Sequence, residues 1–414
     1  MNRLLFLIAA ILLSVLPAGA AAFQAKRGIS LDIWVTWPDE SKWGDASVML
    51  PFPEWRKTVG EKELGDLKAA GFDFVRMPID PSPFLSDKSA ALREKLFDEV
   101  AASVDLITNS GLKVIVDLHA LPAGGNRSIG TSEILKDGTL FEAHAALVKR
   151  MAGMLTNHIP ESVALELFNE PTIDCKDDGT NDWPAKLKNL HAAARSESER
   201  LTLILSGACW GGSEGLAMLN PKDFADGNVI WSFHSYDPFI LTHQGATWTG
   251  DFMPHVYGLP FPLHAADKAD LDKTLDEIRA RITKDAPRAR RSGHLAYLEE
   301  EIAKIDTEEG LARAMDKPFV IVSDWAKTNR IDPSSIILGE FGMIRQEYGN
   351  PIVTPGKVRA AYVKAMAERA EAEGFMWSVW SYGGAFGLVD GFDGERAEGD
   401  VVEMVRGMSA KPLN

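Results

Sequence analysis

Cysteine is scarce in this chain: Cys175 and Cys209 are the only two among 414 residues. Two cysteines with no shared short spacing do not make a zinc signature. A metal-dependent hydrolase would also need clustered His and Asp ligands, such as a His-x-His motif, but Ser30, Asp32 and Trp34 stand on the first strand-like segment. We therefore expect no metal and no other cofactor. The sequence leaves open whether the two cysteines form a disulfide or remain separate thiols.

Basic residues are also in short supply. The chain has 44 Lys and Arg against 59 Asp and Glu, which gives a formal net charge of −15 at pH 7. A surface this acidic repels nucleic acid and anionic membranes. We expect neither as a partner, whereas a neutral polymer such as a glycan is compatible with this charge.

Long apolar runs are missing after the N-terminus. Residues 1–3 carry one positive charge, residues 4–16 are almost wholly apolar, and small residues follow. This pattern predicts a signal peptide over residues 1–22, cleaved after Ala20 or Ala22, and a secreted or periplasmic protein. The alternative is an uncleaved membrane anchor, which is disfavoured because the apolar core is shorter than the about 20 residues of a span. After cleavage we expect no membrane association.

Short β-like segments alternate with amphipathic helical segments such as 92–108, 140–158 and 358–373. Gly71, Gly111 and Gly374 stand between a helical segment and the next strand, where a left-handed cap is needed. Eight alternations predict an α/β fold of the (β/α)₈ TIM-barrel type. An open doubly wound sheet is disfavoured because no Gly-rich phosphate loop follows the first strand. The eight predicted strands are 28–33, 72–77, 113–118, 163–168, 201–205, 229–233, 336–338 and 375–379.

The interval between the sixth and seventh strands is too long for one loop and one helix. Residues 248–264 are rich in aromatic residues and prolines, and residues 265–291 are charged with a helical pattern. We interpret about 238–316 as an insertion packed over the active-site face, although a surface excursion without function is the alternative. Residues 23–414, with this insertion included, are predicted to form one catalytic domain without an appended binding module, and we expect a monomer.

Two glutamates follow separate strand-like segments. Asn169-Glu170-Pro171 comes after segment 163–168, and Gly339-Glu340-Phe341-Gly342 comes after segment 336–338. Since the strand C-termini of an α/β barrel meet on one face, these two acids can oppose each other across a pocket. One acid can then protonate a departing glycosidic oxygen while the other attacks the anomeric carbon. The pair therefore predicts a sugar-cleaving enzyme.

Other polar and aromatic residues follow the remaining predicted strands. Taken singly, each has an ordinary structural explanation: an arginine in an ion pair, a satisfied buried histidine, a tryptophan in the core. Their joint occurrence at successive strand ends favours a binding site. They are Arg76, His119, Trp210, His234, Tyr236 and Trp380. Weaker candidates for outer subsites or hydroxyl contacts are Trp34, Trp37, Trp43, Trp248, Asn126 and Glu214.

These motifs together resemble glycoside hydrolase family 5, the large cellulase family whose catalytic glutamates follow strands four and seven. The resemblance runs from about residue 28 to about residue 390, and it is specific for the family rather than for a substrate. Residues 236–245 are most similar to bacterial cellulase-type members. The motifs that carry the resemblance are Arg76, Asp117-Leu118-His119, Asn169-Glu170-Pro171, His234-Ser235-Tyr236, Gly339-Glu340-Phe341-Gly342 and residues 377–380.

The resemblance implies roles for the two acids and their neighbours. Glu170 would be the general acid and then the base, which requires a raised pKa. Glu340 would be the nucleophile that forms a covalent glycosyl-enzyme, held by hydrogen bonds from Arg76 and Tyr236. His234 would neighbour Glu170. Retention of the anomeric configuration follows, with carboxyl groups about 5–5.5 Å apart.

The resemblance also implies how the sugar is held. Asn169 would donate to the sugar 2-hydroxyl, and His119 would bind the sugar in the cleaved subsite. Trp380 would stack on the apolar face of that sugar.

Together these points predict an exported retaining β-glycoside hydrolase, with endo-β-1,4-glucanase activity as the first choice and a β-glycan as the partner. The same mechanism on β-mannan, β-1,3-glucan or a bacterial exopolysaccharide is the alternative, because outer loops choose the substrate. A glycan-binding protein with a dead site would have lost a carboxylate or its supports, and none is missing here.

Overall fold

The computed structural model describes residues 21–32, 37–50, 59–125, 127–175, 180–224, 226–392 and 395–409. Nearly all of the predicted signal peptide lies outside these residues, as do the candidates Trp34 and Asn126.

Eight parallel strands close into a barrel in the order β1 to β8, with β8 pairing to β1. This confirms the predicted TIM-barrel fold. Every predicted strand is present, with small differences at the ends: β1 ends at Ser30, β2 begins at Phe74 and β4 ends at Glu166. The bounds are β1 Arg27–Ser30, β2 Phe74–Ile79, β3 Lys113–Leu118, β4 Val163–Glu166, β5 Thr202–Ser206, β6 Val229–His234, β7 Ile336–Glu340 and β8 Met376–Val379.

Helices separate the strands. The three glycines predicted as left-handed caps have that conformation, with φ of 104° at Gly71, 76° at Gly111 and 79° at Gly374. The helices of the described residues are α1 Ala46–Met49, α2 Glu61–Ala70, α3 Ser82–Leu85, α4 Arg93–Asn109, α5 Thr131–Lys136, α6 Gly138–Leu155, α7 Trp183–Arg195, α8 Ser213–Ala217, α9 Phe239–Thr242, α10 Lys268–Asp285, α11 Arg291–Ile305, α12 Glu308–Asn329, α13 Gly356–Glu373 and α14 Asp400–Ser409. Among these residues, no helix combines the length and the apolar character needed to cross a membrane.

The lower half of the barrel interior is apolar. Because side chains alternate along a strand, every second residue points inwards. Phe23, from the segment before β1, lies beneath these side chains, is fully buried and meets Phe74 edge-on at 6.1 Å between ring centroids. The apolar layer consists of Phe74, Ile115, Ala164, Ile204, Ile230, Ile337 and Met376.

The upper half of the interior is polar. Two residues further along each strand, the inward positions hold charged, hydroxyl-bearing or glycine residues, and the polar ones are buried. They are Ser30, Arg76, Asp117, Glu166, Ser206, Ser232, Gly339 and Ser378. This polar layer lies directly beneath the residues at the C-terminal ends of the strands.

The predicted insertion after strand six is present. Helix α12 packs against α8 and α13 and so takes the place of the barrel helix, while α10 and α11 extend the structure outwards by packing on each other and, through α11, on α12. His243 connects the start of the insertion to the strand ends, since its ring packs edge-on against Tyr236 at 5.0 Å.

Candidate active site

Glu170 and Glu340 meet at the C-terminal face of the barrel. Glu340 is the last residue of β7, and Glu170 follows β4 by four residues. One carboxylate oxygen of Glu170 lies within 4.8 Å of one of Glu340. This short separation fits direct attack by a carboxylate, whereas a water between the two groups needs about 6.5–9.5 Å.

Arg76 holds Glu340 from below. Its guanidinium is fully buried and donates from Nη1 to Oε1 of Glu340 at 2.6 Å and from Nη2 to Oδ1 of Asn169 at 2.6 Å. The same group pairs with Glu166 through Nε at 2.7 Å and with Asp117 through Nη2 at 2.9 Å. A planar guanidinium with five N–H donors can bond to all of these partners at once, whereas a lysine ammonium could not.

Three buried carboxylates thus share one guanidinium. Burial raises the pKa of Asp117 to about 7, although the Arg76 charge acts in the opposite direction. Burial also raises the pKa of Glu166, again opposed by Arg76. Because one positive charge does not fully offset burial in a low-dielectric interior, the carboxyl group of Asp117 is partly protonated near neutral pH.

The second oxygen of Glu340 accepts a hydrogen bond from Tyr236, whose hydroxyl lies 3.0 Å from Oε2. Burial raises the pKa of Tyr236 well above its usual value, so the phenol keeps its proton and remains a donor. Both oxygens of Glu340 are therefore fixed, one by Arg76 and one by Tyr236. These are the two contacts that the family resemblance implied for Glu340.

Glu170 is in a different environment. Its side chain is 29% exposed, and its Oε1 lies 2.7 Å from Nδ1 of His234. Burial raises the pKa of Glu170 to about 7, with His119 and Arg76 acting against the rise. Burial also lowers the pKa of His234 to about 4, so this imidazole is neutral near pH 7. The raised pKa is what a general acid needs.

His119 and Asn169 line the cleft beside Glu340. Nδ1 of His119 lies 2.7 Å from Oδ2 of Asp117, and its Nε2 lies 3.3 Å from Nδ2 of Asn169. Since Oδ1 of Asn169 accepts from Arg76, Nδ2 is the donor towards His119, which therefore carries its proton on Nδ1. Trp380 stacks on the His119 ring at 5.2 Å and 12°. One face of the Trp380 indole is therefore covered by His119, and a sugar could stack only on the opposite face.

The tryptophan candidates divide into two groups. Trp37 and Trp43 are buried, and their indole N–H groups donate to the carbonyls of Asp80 and Pro38, so the suggestion that they line outer subsites is wrong. Trp210 and Trp248 are each 54% exposed and keep free ring surface.

The loop that carries Trp210 is held in a strained conformation. Cys209 and Trp210 have φ of 57° and 55°, a left-handed conformation that costs non-glycine residues about 1–3 kcal/mol each. A disulfide joins Cys209 to Cys175, with 5.4 Å between the Cα atoms, which answers the question that the sequence left open. The backbone N–H of Trp210 donates to the carbonyl of Pro171 at 3.0 Å, so this loop is anchored next to Glu170.

Glu214 is also accounted for by protein contacts. It is exposed on α8 and pairs with Lys317 at 2.8 Å.

Within the part of the chain that the structure describes, one group of side chains could hold a metal ion. Single ligand atoms of Glu170, His234 and Glu340 lie within 4.8 Å of one another. However, these groups already bond to each other, to Arg76 and to Tyr236, and the Arg76 charge disfavours a cation at this position. The cluster fits two acids and their supports better than a metal centre.

Glu166 and Asp117 were not among the predicted site residues, although both bond to Arg76. The sequence does hold a signal for Glu166. It occupies an inward position of β4, two residues after Ala164, where an apolar residue is expected in a packed barrel. A charged residue at such a position calls for a buried partner, and Arg76 has the same unusual placement on β2.

Comparison with known proteins agrees with this geometry. Residues 41–385 match the family described as Cellulase (glycosyl hydrolase family 5). Endoglucanase 3 of Fibrobacter succinogenes is 24% identical over 351 residues, which cover 82% of this chain and 48% of that protein. Cellodextrinase A of Ruminococcus flavefaciens is 25% identical over 229 residues, which cover 55% of this chain and 63% of that protein. The chain thus spans less than two thirds of the length of these curated relatives.

A similar fold occurs among solved structures. Thermotoga maritima Cel5A in complex with cellobiose aligns with a TM-score of 0.62 and 20% sequence identity, over 92% of this chain and 97% of that chain. The cellulose synthase subunit Z of Clostridioides difficile aligns with a TM-score of 0.59 and 23% identity, over 92% of this chain and 99% of that chain. At these identities the similarity establishes the fold.

Proposed function

The chain belongs to glycosyl hydrolase family 5, as the sequence motifs indicated, and from that premise we propose that it is an exported retaining endo-β-1,4-glucanase. The observation that carries the proposal is the pair of opposed acids in unequal surroundings. Glu340 has both oxygens bound by Arg76 and Tyr236, whereas Glu170 faces the cleft with its pKa raised to about 7. Unequal carboxylates at short separation suit double displacement.

In the first step, protonated Glu170 gives its proton to the glycosidic oxygen while an oxygen of Glu340 attacks the anomeric carbon. The glycosidic bond breaks, the aglycone leaves as an alcohol, and a glycosyl ester forms on Glu340. In the second step, Glu170 takes a proton from water, and the resulting hydroxyl attacks the same carbon. The ester bond breaks, Glu340 returns to a carboxylate, and the β configuration is retained.

The surrounding residues would position the sugar. Asn169 is fixed through its Oδ1 by Arg76, which leaves Nδ2 to donate, and we assign it to the sugar 2-hydroxyl. Nε2 of His119, 3.3 Å from Nδ2 of Asn169, is the atom that would bind the sugar in the cleaved subsite, and the free face of Trp380 would lie against the sugar ring. Trp210, exposed on the loop next to Glu170, would stack on the aglycone side.

Export is supported by the apolar N-terminal run followed by small residues. A secreted or periplasmic enzyme without a cofactor, acting as a monomer on a β-glycan, is the form of the protein that we propose.

The test is a panel of polymers: carboxymethylcellulose, barley glucan, laminarin and mannan. Release of reducing ends from the first two, together with a rapid fall in viscosity, is the expected result, because internal cleavage shortens chains faster than cleavage from the ends. The Glu340→Gln variant should fold normally and release nothing. Activity on laminarin or mannan alone would replace the proposed substrate, and full activity of Glu340→Gln would remove the nucleophile assignment.

A further inference from the structure

His234 has one ring nitrogen in use and one without a partner. Nδ1 faces Glu170 at 2.7 Å, whereas Nε2 is buried and has no hydrogen-bond partner among the described residues. Ser232, two residues earlier on β6 and also inward-facing, is in the same situation, since its buried Oγ has no partner in the described part of the chain. Two unpaired buried polar groups on one strand call for an explanation.

Gly339 brings these two groups to a common place. Strands β6 and β7 shift register here, with Phe233 opposite Leu338 and His234 opposite Glu340, so that Gly339 is the extra residue of a bulge. A Cβ atom at Gly339 would lie 2.6 Å from Oγ of Ser232 and 2.9 Å from Nε2 of His234. Both atoms therefore border the space that the missing side chain leaves, and no side chain stands between them at this position.

The position of the proton on His234 matters for Glu170. A neutral imidazole carries one N–H, and its other nitrogen is an acceptor. If the proton is on Nδ1, the ring donates to Oε1 of Glu170, and the acid proton must sit on the other oxygen, which is free to face the substrate. If the proton is on Nε2, the ring accepts from Oε1, and the acid proton is turned towards the histidine.

We propose that the hydroxyl of Ser232 donates to Nε2 of His234, holds the ring in its Nδ1–H form and thereby keeps the acid proton of Glu170 on the oxygen that faces the substrate. Ser232 is then a positioning residue that acts through His234. The inference rests on the proposed function, because it assigns the general-acid role to Glu170.

Among the charged groups around His234, Glu340 also favours the Nδ1–H form, since its Oε2 lies 3.9 Å from Nδ1. Glu340 and Glu166 favour a charged ring, Arg76 and His119 oppose it, and burial outweighs all of them. The ring is therefore neutral at pH 6, where Glu170 still holds its proton. At this pH an ionised Glu170 no longer forces the proton onto Nδ1, so the tautomer depends on the Ser232 hydroxyl group and on the Glu340 carboxylate, and only the first is changed in Ser232→Ala.

The direct test uses protein labelled with ¹⁵N-histidine and long-range ¹H–¹⁵N spectra at pH 6, with His234→Gln to identify the signal. We expect the Nδ1–H tautomer in the wild type and in Ser232→Thr, which keeps the hydroxyl group. Ser232→Ala should move the population to the Nε2–H form by about five- to tenfold. Ser378→Ala, which removes a hydroxyl from the same layer, should leave the tautomer unchanged.

Kinetics give a second measure. In Ser232→Ala the protonated acid pairs with Nδ1, so the basic limb of kcat/KM should move to higher pH, and hydrolysis of substrates with poor leaving groups should fall about five- to tenfold. Activated aryl glycosides should be nearly unaffected. Groups that also face Glu170, namely His119, Arg76, Asp117, Tyr236 and Glu340, are unchanged in this variant.

An Nε2–H tautomer in the wild type, or an unchanged tautomer in folded Ser232→Ala, would overturn the inference. An unshifted basic limb with equal losses on both substrate types would do the same. Because the spectra need no turnover, a wild type without glycosidase activity would reject the proposed function but not the hydrogen bond.

Discussion

At the scale of single residues, the site depends on two glutamates that differ in their surroundings. Glu340 is surrounded by donors, whereas Glu170 is partly exposed and pairs with a neutral histidine. A general acid must keep its proton at the working pH, and the pKa of Glu170, raised to about 7, satisfies this. Because the acid role needs the protonated form of Glu170, activity should fall as the pH rises through about 7 and this form is lost.

This predicts both a pH profile and a leaving-group effect for Glu170→Ala. In the wild type, kcat/KM should fall above about pH 7, and this basic limb should disappear in the variant. Cellotriose hydrolysis should drop by about 10²–10⁴-fold, but cleavage of a dinitrophenyl cellobioside should change far less, because its leaving group needs no proton. Glu214→Ala, an exposed acid paired with Lys317, is the control. Equal losses on both substrates would argue against the acid role.

The proximity of Glu170 and Glu340 and the contacts of Glu340 could be predicted, because each of these residues stands in a short motif at a strand end. The shared use of Arg76 by Asp117 and Glu166 could not. Arg76 and Glu166 are 90 positions apart and touch only because barrel closure brings their inward positions to the same height. Such a contact depends on the register between strands, which no local pattern reveals.

At the scale of elements, the loops after β4 and β5 form one unit. The disulfide between Cys175 and Cys209 joins the loop of Glu170 to the loop of Trp210, and backbone hydrogen bonds from Cys209 to Ile173 and from Trp210 to Pro171 reinforce it. The left-handed conformations at Cys209 and Trp210 persist because these contacts determine them.

Replacing both cysteines by serine should therefore lower the free energy of unfolding by roughly 3–4 kcal/mol, the value for closing a loop of this length. Chemical denaturation of the oxidised wild type and the variant measures this difference. Turnover at low temperature should persist at a reduced level, because Glu170 keeps its contact with His234. A reducing agent should reproduce the loss in the wild type and have no effect on the variant.

The segment before β1 closes the base of the barrel. Phe23 is fully buried beneath the apolar layer, and its backbone N–H donates to Oγ1 of Thr202 at 3.1 Å. Without this ring the base of the barrel would hold a cavity lined by Phe74 and its neighbours.

Phe23→Ala should accordingly reduce the free energy of unfolding by roughly 3–5 kcal/mol, the usual result of removing a large buried ring. Urea denaturation monitored by circular dichroism is the measurement. Val353→Ala, at a partly exposed position, is the matched control and should have little effect. A loss below about 1 kcal/mol for Phe23→Ala would mean that the base of the barrel does not depend on this ring.

At the scale of the whole molecule, alternation of strands and helices predicted the architecture, and the excess length between strands six and seven predicted the insertion. The division of that insertion could not be foreseen. Helix α12 packs against the barrel helices α8 and α13, whereas α10 and α11 lie outside the barrel. This division depends on which apolar helix faces pack against each other, and the sequence pattern does not show that. Strand ends shifted by a few residues because pairing, rather than propensity, decides where a strand stops.

The contacts of residues 21 and 22 with the rest of the fold bear on the proposed signal cleavage. The backbone N–H groups of Ala21 and Ala22 donate to Ser335 and Asn228 at the base of the barrel. Cleavage after Ala20 preserves both residues, whereas cleavage after Ala22 removes them. We predict that the mature chain begins at Ala21, which intact-mass measurement of the secreted protein will test. A mass that corresponds to a start at Phe23 would contradict this, and retention of residues 1–20 would contradict signal cleavage.

Trapping the covalent intermediate tests the account most directly. A 2-deoxy-2-fluoro-cellobioside with a good leaving group should form a stable ester, and peptide mass spectrometry should locate the added 2-deoxy-2-fluorocellobiosyl group on Glu340. The Glu340→Gln variant should remain unlabelled. A label on any other residue, or active enzyme that turns over cellotriose with inversion and never becomes labelled, would contradict the assignment of Glu340 as nucleophile and Glu170 as acid.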